Sequence, residues 1–284
     1  MADDPSLDDL RREIDRIDDS LHDLLMHRCD VVRRIGEAKG DAAVYLRPGR
    51  EAEILRRLVA RHQGPFPKAV LVRMWREMMS ALVSLQGPFG VAVYMPERGA
   101  GFIDLARGHY GSHSALTSYR TAGQVVRAVA DGEATVGVVP VPTLEGEPWW
   151  QGMMGQGADV PRIIGRLPFT GPRADSAEGL EALVIARLPQ DATGNDRSWL
   201  AFETLPDISR ARLKTTLLAS GLEPREFSGG MHSEDRWTHL VEFEGYVAPD
   251  DRRILRMVEK ADPVLHAVVL GGYPVPLSPE ELAP

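Results

Sequence analysis

LDDLRREIDRIDDSLHDLLMHRCDVVRRIGEAK, residues Leu7 to Lys39, decides how the N-terminal part of the chain folds. Apolar side chains recur at Leu7, Leu10, Ile14, Ile17, Leu21 and Leu24, then at Val31 and Ile35. The steps alternate three and four, the seam of a helix that packs along its whole length. Ser6 followed by Asp9 makes a capping-box-like start, Asp8 and Asp9 lie favourably against the helix dipole, and Gly40 is a natural stop. Such a helix is about 50 Å long at 1.5 Å per residue, too long for one small lobe.

Two more helices follow in the same rhythm. One runs from Pro48 through Ile54, Leu55, Leu58 and Val59 to His62. The next runs from Pro67 to Gln86 with Leu71, Trp75, Met78, Leu82 and Leu85 on its stripe. GPFG at 87–90 breaks the helical texture. Short apolar runs then alternate with helical stretches: FGVAVYM as strand, GFIDLARGHYG and TAGQVVRAVADGE as helices, ATVGVVPVP and EALVIARLP as strands. The stretch from Leu144 to Gly179 is rich in Gly, Pro and Trp and gives no clear element, and Trp149 and Trp150 read as a loop anchor or domain contact. From Asn195 the order is strand, helix, strand, strand, helix, strand, a ferredoxin-like plan. The expected class is α plus α/β, with an all-α part over 1–88, a reduced α/β region over 89–190 and a βαββαβ domain over 191–284.

Composition narrows the function. With 33 Lys+Arg against 41 Asp+Glu, the net charge is −8, so no sequence-wide basic field attracts nucleic acid or an anionic membrane, and any anionic ligand must meet locally gathered cations. The single cysteine, Cys29, excludes an intramolecular disulfide and a cysteine metal cluster and suits a reducing cytoplasm. The opening MADDPSLDD lacks a basic n-region followed by an apolar run, and no stretch approaches the about 18 apolar residues of a membrane span. His109, His113, His232 and His239 fall in glycine-rich loops and a strand without a carboxylate pattern, so no metal is expected.

Charges that interrupt the apolar seam carry the chemistry. Arg28 occupies the heptad position of Leu7, Ile14 and Leu21, so its guanidinium should enter a packed interface and requires an anion there. Arg11 and Lys39 share a neighbouring position but lie about 42 Å apart along one helix. An antiparallel pairing of two copies across a two-fold axis brings Arg11 of one chain toward Arg28 and Lys39 of the other. Glu51, after Arg50, lies on the inward stripe of the second helix, and Gln86 closes that of the third. Together they describe a pocket for a compact dianion, with no serine or cysteine nucleophile paired to a histidine. Plainer readings exist for each residue alone: Arg28 as a structural partner of Asp18 or Asp30, Arg11 and Lys39 as solvated charges, Arg50 and Glu51 as first-turn polar residues, Gln86 as a helix end. Their joint occurrence at matching phases on three consecutive helices favours the shared pocket.

The combined L-R-x-x-I-D-x-I-D, R-x(10)-K and R-E-x-x-x-L-x-R pattern over residues 6–86 resembles the three helices of an AroQ-type chorismate mutase, which form an intertwined homodimer. The resemblance implies conversion of chorismate to prephenate by a [3,3] Claisen rearrangement in aromatic amino acid biosynthesis, with no cofactor. It implies that Arg11 of the partner and Arg28 bind the two carboxylates, that Lys39 and Gln86 face the ether oxygen, that Glu51 accepts from the ring hydroxyl, and that Arg50 supports that side. Arg47 stands where the family often has an acidic residue a few positions before the Arg-Glu pair and is placed with the substrate-binding set, and Leu82 replaces a serine sometimes found one turn before the glutamine.

GEATVGVVPVPT and the glycine-rich opening from Val91 resemble part of a prephenate dehydratase domain. Pro142 and Thr143 stand where that family's segment has Glu-Asn, no Thr-Arg-Phe triplet precedes LVIARLP, and the segment is roughly half the length of a two-lobed domain, so dehydratase activity is expected to be absent. The last part, with LGGYPVP near its end, resembles the ACT regulatory domain, which implies an aromatic amino acid effector, although FSGGMHSED replaces the family's E-S-R-P motif. Two alternatives remain: a bifunctional mutase and dehydratase, or a non-catalytic regulatory protein with a helical dimerisation arm.

Overall fold

The computed structural model describes residues 5–39, 45–97, 100–171, 179–233, 235–260 and 262–283, with Lys39 described in its backbone only. Helix α1 (Leu7–Lys39) is one unbroken element of 33 residues. Helices α2 (Pro48–Arg61) and α3 (Lys68–Ser84) follow, α2 entered through a proline in its first turn. Ala52, Leu55 and Val59 of α2 pack with Val72 and Met79 of α3 in a cluster completed by Phe169 and Leu277 from the chain beyond residue 88. Arg56 locks this contact: its guanidinium donates to Thr193 Oγ1 at 2.9 Å and to the carbonyls of Asn195 and Val275, both at 2.8 Å.

Helix α1 behaves differently. Every residue from Pro5 to His27 is exposed, including Leu24 at 65% and Leu7 at 64%. Among the described side chains of α1 only Arg28, Cys29, Val32 and Gly36 are half-buried, and Arg28, Val32 and Gly36 repeat at four-residue spacing, so one short face of α1 turns toward Glu51 of α2 and Gln86 beyond α3.

The remaining strands are β1 (Gly90–Tyr94), β2 (Ala115–Tyr119), β3 (Val136–Pro140), β4 (Arg162–Leu167), β5 (Ala182–Ala186), β6 (Asp196–Thr204), β7 (Pro224–His232), β8 (Trp237–Glu244) and β9 (Val264–Pro274). They form a single sheet in the order β2-β1-β3-β5-β4-β9-β6-β8-β7. Strand β1 runs parallel to β2 and β3, whereas β5 is antiparallel to both neighbours. Helix α4 (Gly101–Tyr110) covers one face through Phe102, Ala106 and Tyr110. Helix α5 (Ala122–Ala130) and the 3-10 turn Trp149–Met153 cover the other. Being buried on both sides, β5 reads as the continuous run ALVIA rather than as an alternation.

The C-terminal half has the expected βαββαβ order, with α6 (Arg210–Ala219) and α7 (Arg252–Lys260) packing Leu213, Leu217, Ile254 and Met257 on Leu200, Phe202, Val241 and Phe243. Its sheet is not separate, because Ile163 of β4 pairs with Gly271 of β9 and joins the two halves edge to edge. Gly271 has φ +109°, and a Cβ there would collide with the Ile163 carbonyl, so the Gly-Gly of LGGYP is what permits this close approach. Trp149 and Trp150 lie in the core cluster under the join, beside Leu183 of one half and Trp199 and Leu270 of the other.

Candidate active site

The half-buried face of α1 brings Arg28 within electrostatic reach of Glu51 on α2, and Gly36, two turns further along, against Gln86 at the end of α3. Glu51, in the first turn of α2, is almost enclosed, with its side chain 14% exposed, and Nη1 of Arg76 donates to its Oε2 at 2.6 Å. Burial pushes the Glu51 carboxyl above its ordinary value, and the positive charges of Arg76 and Arg28 pull the other way. The Arg28 guanidinium is pulled down by burial and feels the opposing charge of Glu51. Its Nη1 is buried without a hydrogen-bond partner among the described residues. A buried donor in that condition costs free energy unless an acceptor reaches it, and a charged donor most of all.

Gln86, just past α3, lies against Gly36 of α1: a Cβ on Gly36 would stand 3.7 Å from Gln86 Cγ and 3.8 Å from its Oε1. The amide nitrogen donates back to the Leu82 carbonyl at 3.1 Å. The absence of a side chain at 36 therefore leaves the Gln86 oxygen against α1, about 12 Å along the helix from Arg28 at 1.5 Å per residue.

Four other expected residues lie elsewhere or outside the described side chains. Arg11 is exposed and pairs with Asp8 at 3.2 Å, and at 1.5 Å per residue it is about 25 Å along α1 from Arg28, so one chain alone does not unite them. Arg50 turns to the surface and pairs with Glu53 at 3.0 Å. Arg47 meets Asp191 at 3.0 Å, a link between the approach to α2 and the α/β part. The Lys39 side chain lies outside the described residues.

Arg76 is the member of the cluster that sequence reasoning passed over. It is 5% exposed, one turn after Val72 and three residues before Met79, both buried. A charge on an apolar stripe is the same signal that singled out Arg28. Its guanidinium carbon stands 4.9 Å from the centre of the Phe169 ring, and it shares a small cavity of about 20 Å³ with Glu51, His109, Tyr110 and Arg166. No helix among the described residues is long and apolar enough to cross a membrane.

Residues 10–87 match the family described as chorismate mutase type II. A bifunctional chorismate mutase/prephenate dehydratase of Pseudomonas aeruginosa is 34% identical over 147 residues, 50% of this chain and 40% of that one. One of the same description from Aquifex aeolicus is 31% identical over 221 residues, 75% of this chain and 60% of that one. An alignment of that length necessarily extends past residue 87, so the similarity to these bifunctional proteins is not confined to the residues that match the chorismate mutase family. The chain spans only 40 to 60% of the length of these two relatives. Among solved structures, a prephenate dehydratase of Streptococcus mutans aligns at 16% identity and a TM-score of 0.46, over 66% of this chain and 97% of that one.

Proposed function

We propose that this chorismate mutase domain acts as a homodimeric isomerase converting chorismate to prephenate in the cytoplasm. The observation that carries the reading is the Arg28 guanidinium, half-buried beside Glu51 with Nη1 lacking an acceptor among the described residues, on the helix face that further along meets Gln86. A carboxylate of the substrate supplies the missing acceptor, and the planar guanidinium fork suits it. In this reading Arg11 of the partner subunit binds the second carboxylate, and Lys39 and Gln86 face the ether oxygen where negative charge grows as the bond breaks. Glu51 accepts from the ring hydroxyl, and Arg50 and Arg47 flank the entrance.

The reaction is a rearrangement within one molecule. The protein needs no nucleophile, proton relay or cofactor: it holds the two ends of the substrate in the reactive compact shape and stabilises the charge that develops. The dehydratase-like region is proposed to be inactive, because Pro142 and Thr143 replace its Glu-Asn pair and no Thr-Arg-Phe triplet precedes β5. An aromatic amino acid effector at the C-terminal βαββαβ half belongs to the same proposal.

The test is to incubate the pure protein with chorismate and measure prephenate and phenylpyruvate separately, without acid treatment. Prephenate alone supports the proposal. Phenylpyruvate supports the bifunctional reading, which the description of the relatives favours. Failure to consume chorismate leaves a regulatory protein with a helical dimerisation arm.

A further inference from the structure

Among the described residues, the Glu51 carboxylate is held from one side only. Arg76 engages Oε2, whereas Oε1 accepts no hydrogen bond from the described residues. Arg76 is in turn held by the α/β half. Phe169, 6% exposed, places its ring under the guanidinium, and the Phe169 carbonyl accepts from the Leu277 amide at 2.8 Å, fixing the loop after β4. Glu77, one residue on from Arg76, ties the same turn of α3 to the residues after α4 by accepting from the Ser112 amide at 3.0 Å and hydroxyl at 2.8 Å.

A buried ion pair is a poor source of stability, since desolvating both ions offsets most of their attraction and apolar side chains of similar volume commonly do as well. Its retention beside the proposed pocket calls for another reason, and the geometry provides one. With Oε2 occupied, the carboxylate is fixed in orientation and Oε1 remains for the substrate.

Building on the mutase reading, we propose that Arg76 is a positioning residue for the rearrangement, holding Glu51 ionised and aimed at the substrate hydroxyl, with Phe169 of the α/β half holding Arg76. The α/β half then contributes to mutase turnover without placing any group on the substrate. Among the described residues, the charged and titratable groups facing Glu51 are Arg28 from α1, Arg76 from α3, His109 and Tyr110 from α4 and Arg166 from β4, while Arg50 and Glu53 on its own helix turn to the surface. Arg76 is the one of these that bonds it directly.

The experiment measures kcat, KM and the pH dependence of kcat on the full chain, for wild type, Arg76→Gln, Arg76→Lys, Phe169→Leu and Glu51→Gln, with circular dichroism and oligomeric state as controls. Arg76→Gln is expected to lower kcat by about tenfold or more, the loss of one charge-assisted hydrogen bond, with KM nearly unchanged. It should also move the acidic limb of the kcat profile to higher pH, because removing the cation leaves burial to raise the Glu51 carboxyl further. Arg76→Lys should recover part of both effects, Phe169→Leu should move the limb in the same direction by less, and Glu51→Gln should abolish the limb. Adding Arg76→Gln to Glu51→Gln should cost little more.

An Arg76→Gln protein that is folded and dimeric with the wild-type kcat and limb overturns the inference, as does a loss of rate that leaves the limb in place. If Arg76→Gln does not fold, Phe169→Leu decides: an unmoved limb overturns the inference. A wild-type protein that leaves chorismate untouched refutes the underlying mutase reading instead.

Discussion

Arg28 of α1 and Glu51 of α2 share one corner of the molecule, yet Glu51 gives its Oε2 to Arg76 and Arg28 Nη1 bonds to nothing among the described residues. A half-buried cation without an acceptor is a cost in the unliganded protein and a grip for an anionic ligand. The two effects have opposite signs under mutation.

Arg28→Met, which keeps the length and removes the charge, is therefore expected to stabilise the unliganded protein by about 1 kcal/mol while lowering kcat/KM by about 10²-fold, roughly the loss of one carboxylate bonded in two places. Chemical denaturation and steady-state kinetics on the same preparation check both halves. An Arg28→Met protein that is less stable and still active would assign Arg28 a purely structural role.

The Gly36 contact with Gln86 makes a graded test. Gly36→Ala adds a Cβ at ordinary contact distance, 3.7 Å from Gln86 Cγ, and removes a flexible residue from a helix interior, so it should be neutral or stabilise by up to about 1 kcal/mol. Gly36→Leu fills the space beside Gln86 and should displace its amide, lowering kcat more than it raises KM. Equal kinetics for the two variants would remove Gln86 from the pocket.

His239 of β8 predicts a pH effect far from this pocket. The ring is fully buried, bonds Thr204 Oγ1 through Nε2 at 3.1 Å and stacks near Trp237. Burial, with the nearby Arg210 charge, pushes it down to about 4 from an ordinary 6.5. The folded protein thus prefers neutral histidine more strongly than the unfolded chain does. This contribution is complete above about pH 6.5 and is lost as pH falls toward 4, on the order of 3 kcal/mol in all. The stability of His239→Gln should fall less steeply across that window than wild type. An identical slope would show that His239 does not titrate with unfolding.

Much of this architecture is legible in the sequence. The 33 residues of α1, the starts of α2 and α3 and the six elements from β6 to β9 follow from apolar period and glycine or proline punctuation, whereas the short C-terminal helix Pro279–Leu282 does not. Strand β2 escapes such reading because ALTSY is a largely exposed edge strand with no apolar run. Strand β4 is hidden in the Gly-, Pro- and Trp-rich stretch, where RIIGRL follows no simple alternation and bulges at Gly165. The union of both halves in one sheet depends on a single non-local pairing at Gly271, which local pattern does not encode. Of the proposed pocket, Arg28, Glu51 and Gln86 are visible in the sequence as polar residues on apolar stripes. The surface pairing of Arg47 with Asp191 joins residues 144 apart in sequence and follows from no spacing rule.

The apolar stripe of α1, Leu7 through Leu24, lies wholly exposed in one chain, an area that soluble proteins cover with a partner. Its proposed occupant is a second copy, so Leu21→Asp should shift the protein toward monomer in light scattering and lower its mutase rate in parallel. Monomers with full activity would place a whole site in one chain.

The decisive measurement is complementation between Arg11→Ala and Arg28→Ala, each inactive by itself. When the two are co-refolded in equal amounts, half the dimers are mixed, and each mixed dimer gathers both lesions at one site and leaves the other intact. Recovery of about a quarter of wild-type activity is predicted from that counting. A mixture no more active than its separate components would contradict a site shared between two chains.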